Sequence, residues 1–137
     1  MQWFAIFVSF IGRLCIAAIF IIAGISKIFS WDQTLSYMQA HDMCMTQYYL
    51  IGAIIVELGG GMCFILGARP KLIATIFALY LIPVTGIFHA FWTITDPSIR
   101  EAQTMEFLKN LAIFGGLLCF ISSPNRQSKQ VNKELAP

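Results

Sequence analysis

Glu57 lies in the middle of an apolar run, Ile51 to Leu66, of the kind that crosses a membrane. Other apolar runs carry Arg13, His89, Lys109 and Asn110 at comparable positions inside them. A charge in hydrocarbon is expensive, so such residues face the interior of a bundle and pair with one another. A carboxylate beside cations and hydrogen-bonding side chains can hold two helices together. It can also exchange a proton or balance a polar ligand. Any chemistry in this chain belongs to that polar set.

The elements that position the set follow from composition. The chain has 137 residues, 58% hydrophobic and only 12% charged, against about 25% charged in ordinary soluble domains. Mean hydropathy is +0.73. A span needs roughly 20 mainly apolar residues, and four stretches qualify: 3–29, 48–66, 72–92 and 107–122. They leave no room for a soluble domain, and residues 123–137 read as a polar, basic, disordered tail. The expected fold is all-α, an integral membrane four-helix bundle of residues 1–122.

Between the first two stretches, Ser30-Trp31-Asp32-Gln33 has the pattern of a capping box, opening a short helix to about Ala40. Trp31 and Tyr37 suit the headgroup layer, so this helix is expected at the interface in the first outer loop. Gly67 followed by Arg69-Pro70-Lys71 reads as a stop and restart that makes the second and third spans antiparallel neighbours. Pro83 is expected to kink the third span. The stretch from Thr93 to Met105 reads as a polar loop, with Asp96-Pro97 leading into the fourth span.

Several function classes find no support. There is no phosphate-binding glycine loop and no zinc-type Cys/His spacing, and a net charge of +2 gives no basis for nucleic-acid binding. The first stretch lacks a basic lead and carries Arg13 inside it, so it reads as an uncleaved helix rather than a signal peptide. Cys15, Cys63 and Cys119 fall in apolar stretches and read as small buried apolar residues. Only Cys44 lies in a loop, and no CxxC pair supports a thiol relay. His89 has no second histidine in the bilayer to complete a haem site. The 41–45 segment, His-Asp-Met-Cys-Met, offers copper-type ligands without any supporting spacing. No metal is expected.

Orientation follows from the basic residues. Arg69, Lys71, Arg126, Lys129 and Lys133 share one side, which the excess of Lys and Arg marks as cytoplasmic. Both termini are therefore expected in the cytoplasm of a bacterial inner-membrane, multi-pass protein. Counting 1.5 Å per residue from the cytoplasmic ends puts Arg13 at about 15 Å, Glu57 at about 16 Å, and Lys109 and Asn110 at about 18–20 Å. His89 comes at about 27 Å, with Lys27 and Trp92 at the outer interface. Arg13, Gly24 and Lys27 share one face of the first helix. Gly60 and Gly61 beside Glu57, and Gly115 and Gly116 on the fourth helix, read as close helical seams. The plainest role of Arg13 and Glu57 is an interhelical ion pair. Lys109 then remains as a surplus cation, unless it snorkels outward or pairs with Glu106 one turn earlier.

Six motifs in order carry a family resemblance. They are Gly12-Arg13-Leu14; Gly24-Ile25-Ser26-Lys27; Glu57-Leu58-Gly59-Gly60; Leu66-Gly67 with Arg69-Pro70; His89-Ala90-Phe91-Trp92; and Phe107-Leu108-Lys109-Asn110-Leu111 with Gly115-Gly116. On these the chain resembles the DoxX family, especially its small bacterial inner-membrane members, over nearly everything from Gly12 to Phe120. The resemblance implies a four-helix membrane bundle. The family is named for a subunit associated with a thiosulfate:quinone oxidoreductase, and members are linked to membrane redox and oxidative-stress assemblies. The polar positions show no departure from the family pattern, and the family has no agreed catalytic residue to carry over.

The leading expectation is a redox-associated subunit, not a stand-alone enzyme, that binds a quinone or small anionic ligand within the bundle. Arg13, Glu57 and Lys109 would line the pocket, with His89 and Asn110 hydrogen-bonding. The competing expectation is a non-catalytic anchoring subunit that docks a partner protein; small-solute or proton transport is a third. Lipid is the expected environment, with room for a redox partner or a homo-oligomer.

Overall fold

In the computed structural model, residues 2–123 are described; the expected tail lies outside them apart from Ser123. The elements are α1 (Gln2–Phe29), α2 (Trp31–Gln39), α3 (Thr46–Ile54), a π-helical turn (Ile55–Gly59), α4 (Gly60–Leu66), α5 (Pro70–Phe88), a 3₁₀ turn (Phe91–Thr93) and α6 (Pro97–Ser122). No strand occurs among the described residues. Four helical segments are long and apolar enough to cross a membrane: α1, the continuous α3–π–α4 unit, α5 with its 3₁₀ turn, and α6. The all-α four-helix architecture is as the composition requires.

Local chemistry explains where the boundaries moved. The fourth helix begins at Pro97 rather than Phe107. Asp96 accepts hydrogen bonds from the Ser98 and Ile99 amides at 2.9 and 3.1 Å, and from the Ser98 hydroxyl at 2.7 Å. Proline at the first helical position then costs no hydrogen bond. Most of the expected 93–105 loop is therefore helical, because hydropathy marks the membrane portion of a helix and not its end. The capping box at Ser30 does not form, since its side chain makes no cap bond. Ser30 donates its amide back to Ser26 at 2.9 Å, so α2 follows almost directly from α1.

The link between α4 and α5 is the stop and restart read from sequence. Gly67 adopts φ 75°; its amide donates to Phe64 O and that of Ala68 to Cys63 O. This is the paired closure of a Schellman cap, which needs a residue at home in left-handed space. Lys71 donates to the Ser123 carbonyl, tying the start of α5 to the end of α6.

The core is built from Ala17 and Phe20 of α1, Phe64 of α4, Ala74, Phe77 and Leu81 of α5, and Leu117 of α6. Phe20 and Phe77 stack with centroids 3.8 Å apart, and Phe64 meets Phe77 edge-on at 5.9 Å. Without a hydrophobic drive between helices in lipid, close packing at small residues carries association. A Cβ on Gly60 would lie 2.7 Å from Phe77 Cε1, and one on Gly61 2.5 Å from Ile21 Cγ1, so both seat neighbouring helices. Gly115 and Gly116 have nothing within 4 Å and form no seam. Cys15 and Cys119 are exposed on helix surfaces and Cys63 is half-buried, so their small-apolar role is played on surfaces suited to lipid rather than in the core.

Candidate functional site

The site grows from the register of α1 against the second span. Gly24 faces Glu57 and Leu58, with a built Cβ 3.2 Å from Glu57 Cβ and 2.8 Å from Leu58 Cγ. Ile21 meets Gly61, and Arg13 meets Gly67. The helices therefore run antiparallel with Gly24, not Arg13, at the level of Glu57. The ten residues between Glu57 and Gly67 put Arg13 about 15 Å away along the axis. The expected Arg13–Glu57 pair does not exist. The depth count started α1 at Trp3, but α1 is long, and its first residues project past the end of α4.

Lys27 takes that place. Its Nζ donates to both carboxylate oxygens of Glu57, at 2.8 and 2.9 Å. The Tyr80 hydroxyl donates to Oε1 at 2.7 Å. Glu57 is 3% exposed, and the Lys27 side chain 26%. Lys27 stands two residues from the end of α1, in its last turn and about one turn beyond Gly24, and its long stem carries the ammonium down to the carboxylate. The pair is charge-balanced, and the phenol satisfies another carboxylate lone pair, which is what a buried ion pair requires. Glu57 sits inside the π-helical turn, a wide turn that often occurs at functional sites because it re-aims side chains.

A second polar layer lies toward the α2 end. His89 Nδ1 donates to Gln103 Oε1 at 2.8 Å, which leaves Nε2 as the available nitrogen. Asn110, 8% exposed, donates to Thr85 Oγ1 at 3.2 Å. Lys109 pairs with Glu106 on its own helix, both side chains 45% exposed. That is the pairing expected if Lys109 was not to be a surplus cation. Trp92 is exposed beside Phe91 and Phe107.

Two cavities meet at this cluster. The larger, about 550 Å³, opens among α2, α3 and α5. Its walls are mostly apolar, from Met38, Met43, Ala53, Pro83, Val84, Ile87 and Phe88, with Tyr37 and Cys44 at its α2 side. The smaller, about 160 Å³, is more polar and reaches Glu57, Glu106, Lys109 and Asn110. Lys27, Tyr80, Val84 and His89 line both, and so form the partition. An apolar pocket with a few convergent polar groups is the usual form of a small-molecule site.

Over the larger cavity, Tyr37 donates from its hydroxyl to the Phe88 carbonyl at 3.2 Å, and His41 Nδ1 donates to Tyr37 O at 2.9 Å. Tyr37 stacks on Phe88 at 5.7 Å, so α2 is held on the end of α5. Burial raises the Tyr37 hydroxyl above the usual phenol range. Among the described residues no group of three or more His, Cys, Asp or Glu is placed to hold a metal ion.

Of the expected site residues, Glu57, His89, Lys109 and Asn110 share the walls of the smaller cavity, while Arg13 lies elsewhere. Sequence reasoning missed Tyr80 and Gln103 and misplaced Lys27. Tyr80 could have been found as the only hydroxyl-bearing aromatic within the third apolar stretch.

Comparison with known proteins agrees with this frame. The DoxX family profile matches residues 8–90. Inner membrane protein YphA of Escherichia coli K12 is 30% identical over 115 residues, covering 83% of this chain and 81% of that protein. Inner membrane protein YqjF of the same organism is 29% identical over 119 residues, covering 86% and 85%. No solved structure gives a significant match. With a matching profile over more than half its length, on four membrane-length helices, the chain belongs to the DoxX family.

Proposed function

We propose that the larger cavity takes a quinone-class ligand, and that the protein serves as the ligand-holding subunit of a membrane redox assembly rather than as an enzyme by itself. The observation that carries the reading is the mostly apolar cavity of about 550 Å³ ending on Lys27, Tyr80 and His89. An apolar ring and tail fit the walls. A ring carbonyl at the floor would accept from the remaining N–H of Lys27, and His89 Nε2 would accept from a ring hydroxyl of the reduced form. Because Glu57 already neutralises Lys27, a neutral ligand suits this cavity better than an anion. Arg13 drops out of the ligand set and Tyr80 enters it.

Purification with native lipid, followed by mass spectrometry of extracted quinones, tests the reading. Bound quinone in the wild type, reduced in Tyr80→Phe and lost in Lys27→Met, is the expected result. Absence of quinone, with no thermal stabilisation on adding one, would sink it.

The two relatives are named as inner membrane proteins, and the same location is proposed here. Both termini would be cytoplasmic, with the cavity opening outward. Cys44 is exposed on the α2 side. A membrane-impermeant maleimide on intact cells should label it, and strong residual labelling of Cys44→Ser would reject the orientation.

A further inference from the structure

Arg13 lies at the opposite end of the bundle from the cavity. Its guanidinium occupies the space that a Cβ on Gly67 would fill. It packs against the C-terminus of the second span, where the helix dipole is negative. That partial charge is its only compensation among the described residues. Among the described residues Arg13 makes no hydrogen bond, and its Nε is buried without a partner. The described acidic residues are all remote: Glu57 is about 15 Å up the helix, and Asp32, Asp42, Asp96, Glu101 and Glu106 lie toward the other end. Arg69 and Lys71 of the α4–α5 link add positive charge at the same end.

A charge at the end of a span is stabilised by a counter-charge, and among the described residues this end supplies only cations. We propose that Arg13, docked in the Gly67 notch, is a binding site for a phosphate group, with Arg69 and Lys71 as its cationic surround. A planar guanidinium suits phosphate because two parallel N–H donors meet two oxygens. The phosphate is the headgroup ester of an anionic lipid or free phosphate. The exposed apolar residues of α1 on the bilayer-centre side of Arg13, including Leu14 and Ile22, are a surface for acyl chains, which favours the lipid. The proposal stands apart from the quinone reading, since the two sites share no residue.

Native mass spectrometry and thermal unfolding of the full chain in detergent, titrated with phosphatidylglycerol, phosphatidylcholine or inorganic phosphate, tests it. The wild type should retain phosphatidylglycerol in preference to phosphatidylcholine and gain stability from it. Arg13→Gln should bind it about tenfold more weakly, the loss expected for one charge-assisted contact. Arg13→Lys, which keeps the charge and the fold but loses the two-pronged geometry, should fall between. Stabilisation by inorganic phosphate alone, lost in Arg13→Gln, supports the site with a soluble ligand. No preference in the wild type for either phosphate source over phosphatidylcholine overturns the proposal. So does a preference that survives unchanged in both Arg13 variants.

Discussion

Lys27 and Arg13 project from the same face of α1 toward the same second span, yet they meet opposite fates. Lys27 finds a carboxylate with both oxygens in reach and a phenol completing the cluster. Arg13 finds a helix end with no acid beside it among the described residues. The difference teaches that depth in the bilayer does not choose partners. Helical register chooses them, and side-chain length extends the choice by a turn or more. It also separates two arrangements that one surplus charge would have merged: a balanced, buried cluster at a cavity floor, and a cation at the rim that no described acid balances.

The sharpest way to break the contrast is to strip one side of the balanced cluster. Lys27→Met leaves Glu57 buried and uncompensated, and Glu57→Gln leaves the ammonium without its carboxylate. Each should cost about 3–5 kcal/mol, read by equilibrium unfolding in mixed micelles. Arg13→Gln should cost clearly less, because no buried counter-charge is orphaned. Equal losses at Arg13 and Lys27 would contradict the contrast.

Tyr80→Phe probes a smaller part of the same cluster. It removes one hydrogen bond to a charged group, worth about 1.5–3 kcal/mol, while the ring stays in place. A loss within measurement error would mean that the phenol is not a partner of Glu57 in solution.

How much of this was legible in the chain depends on the kind of interaction. The four spans came from composition and length, which the bilayer imposes on any sequence. The Gly67–Pro70 turn came from residue types that only such a turn tolerates well. The polar residues Glu57, His89, Lys109 and Asn110 stood out because they are costly where they are. Their partners, apart from Glu106 for Lys109, did not stand out. Lys27 near a helix end has the ordinary look of a snorkelling lysine, and nothing in its position says that it turns inward. The π-helical turn at Ile55–Gly59 shifts the face that Glu57 presents, and no residue pattern announces it. The start of α6 was hidden because a helix that leaves the membrane turns polar without ending.

The smallest expected effect lies at that same helix start, far from both cations. Hydrogen bonds from the Ser98 hydroxyl, then the Ile99 and Ser98 amides, hold the Asp96 carboxyl below the usual aspartate range. A carboxylate whose folded value is depressed adds stability above its unfolded value. That contribution is lost as pH falls through the folded one. The Ser98 and Ile99 amide shifts should therefore titrate with a midpoint below about 3.9, the ordinary aspartate value. A midpoint at or above it would remove the cap.

The central claim is that Glu57 belongs to Lys27 and not to Arg13, and a pair of double-mutant cycles tests it directly. Lys27→Met combined with Glu57→Gln should cost less than the summed single losses, by a coupling of about 1–3 kcal/mol. Arg13→Gln combined with Glu57→Gln should be additive within about 0.5 kcal/mol, as for residues without shared partners. Additivity in the first cycle, or strong coupling in the second, would contradict the account and return the carboxylate to Arg13.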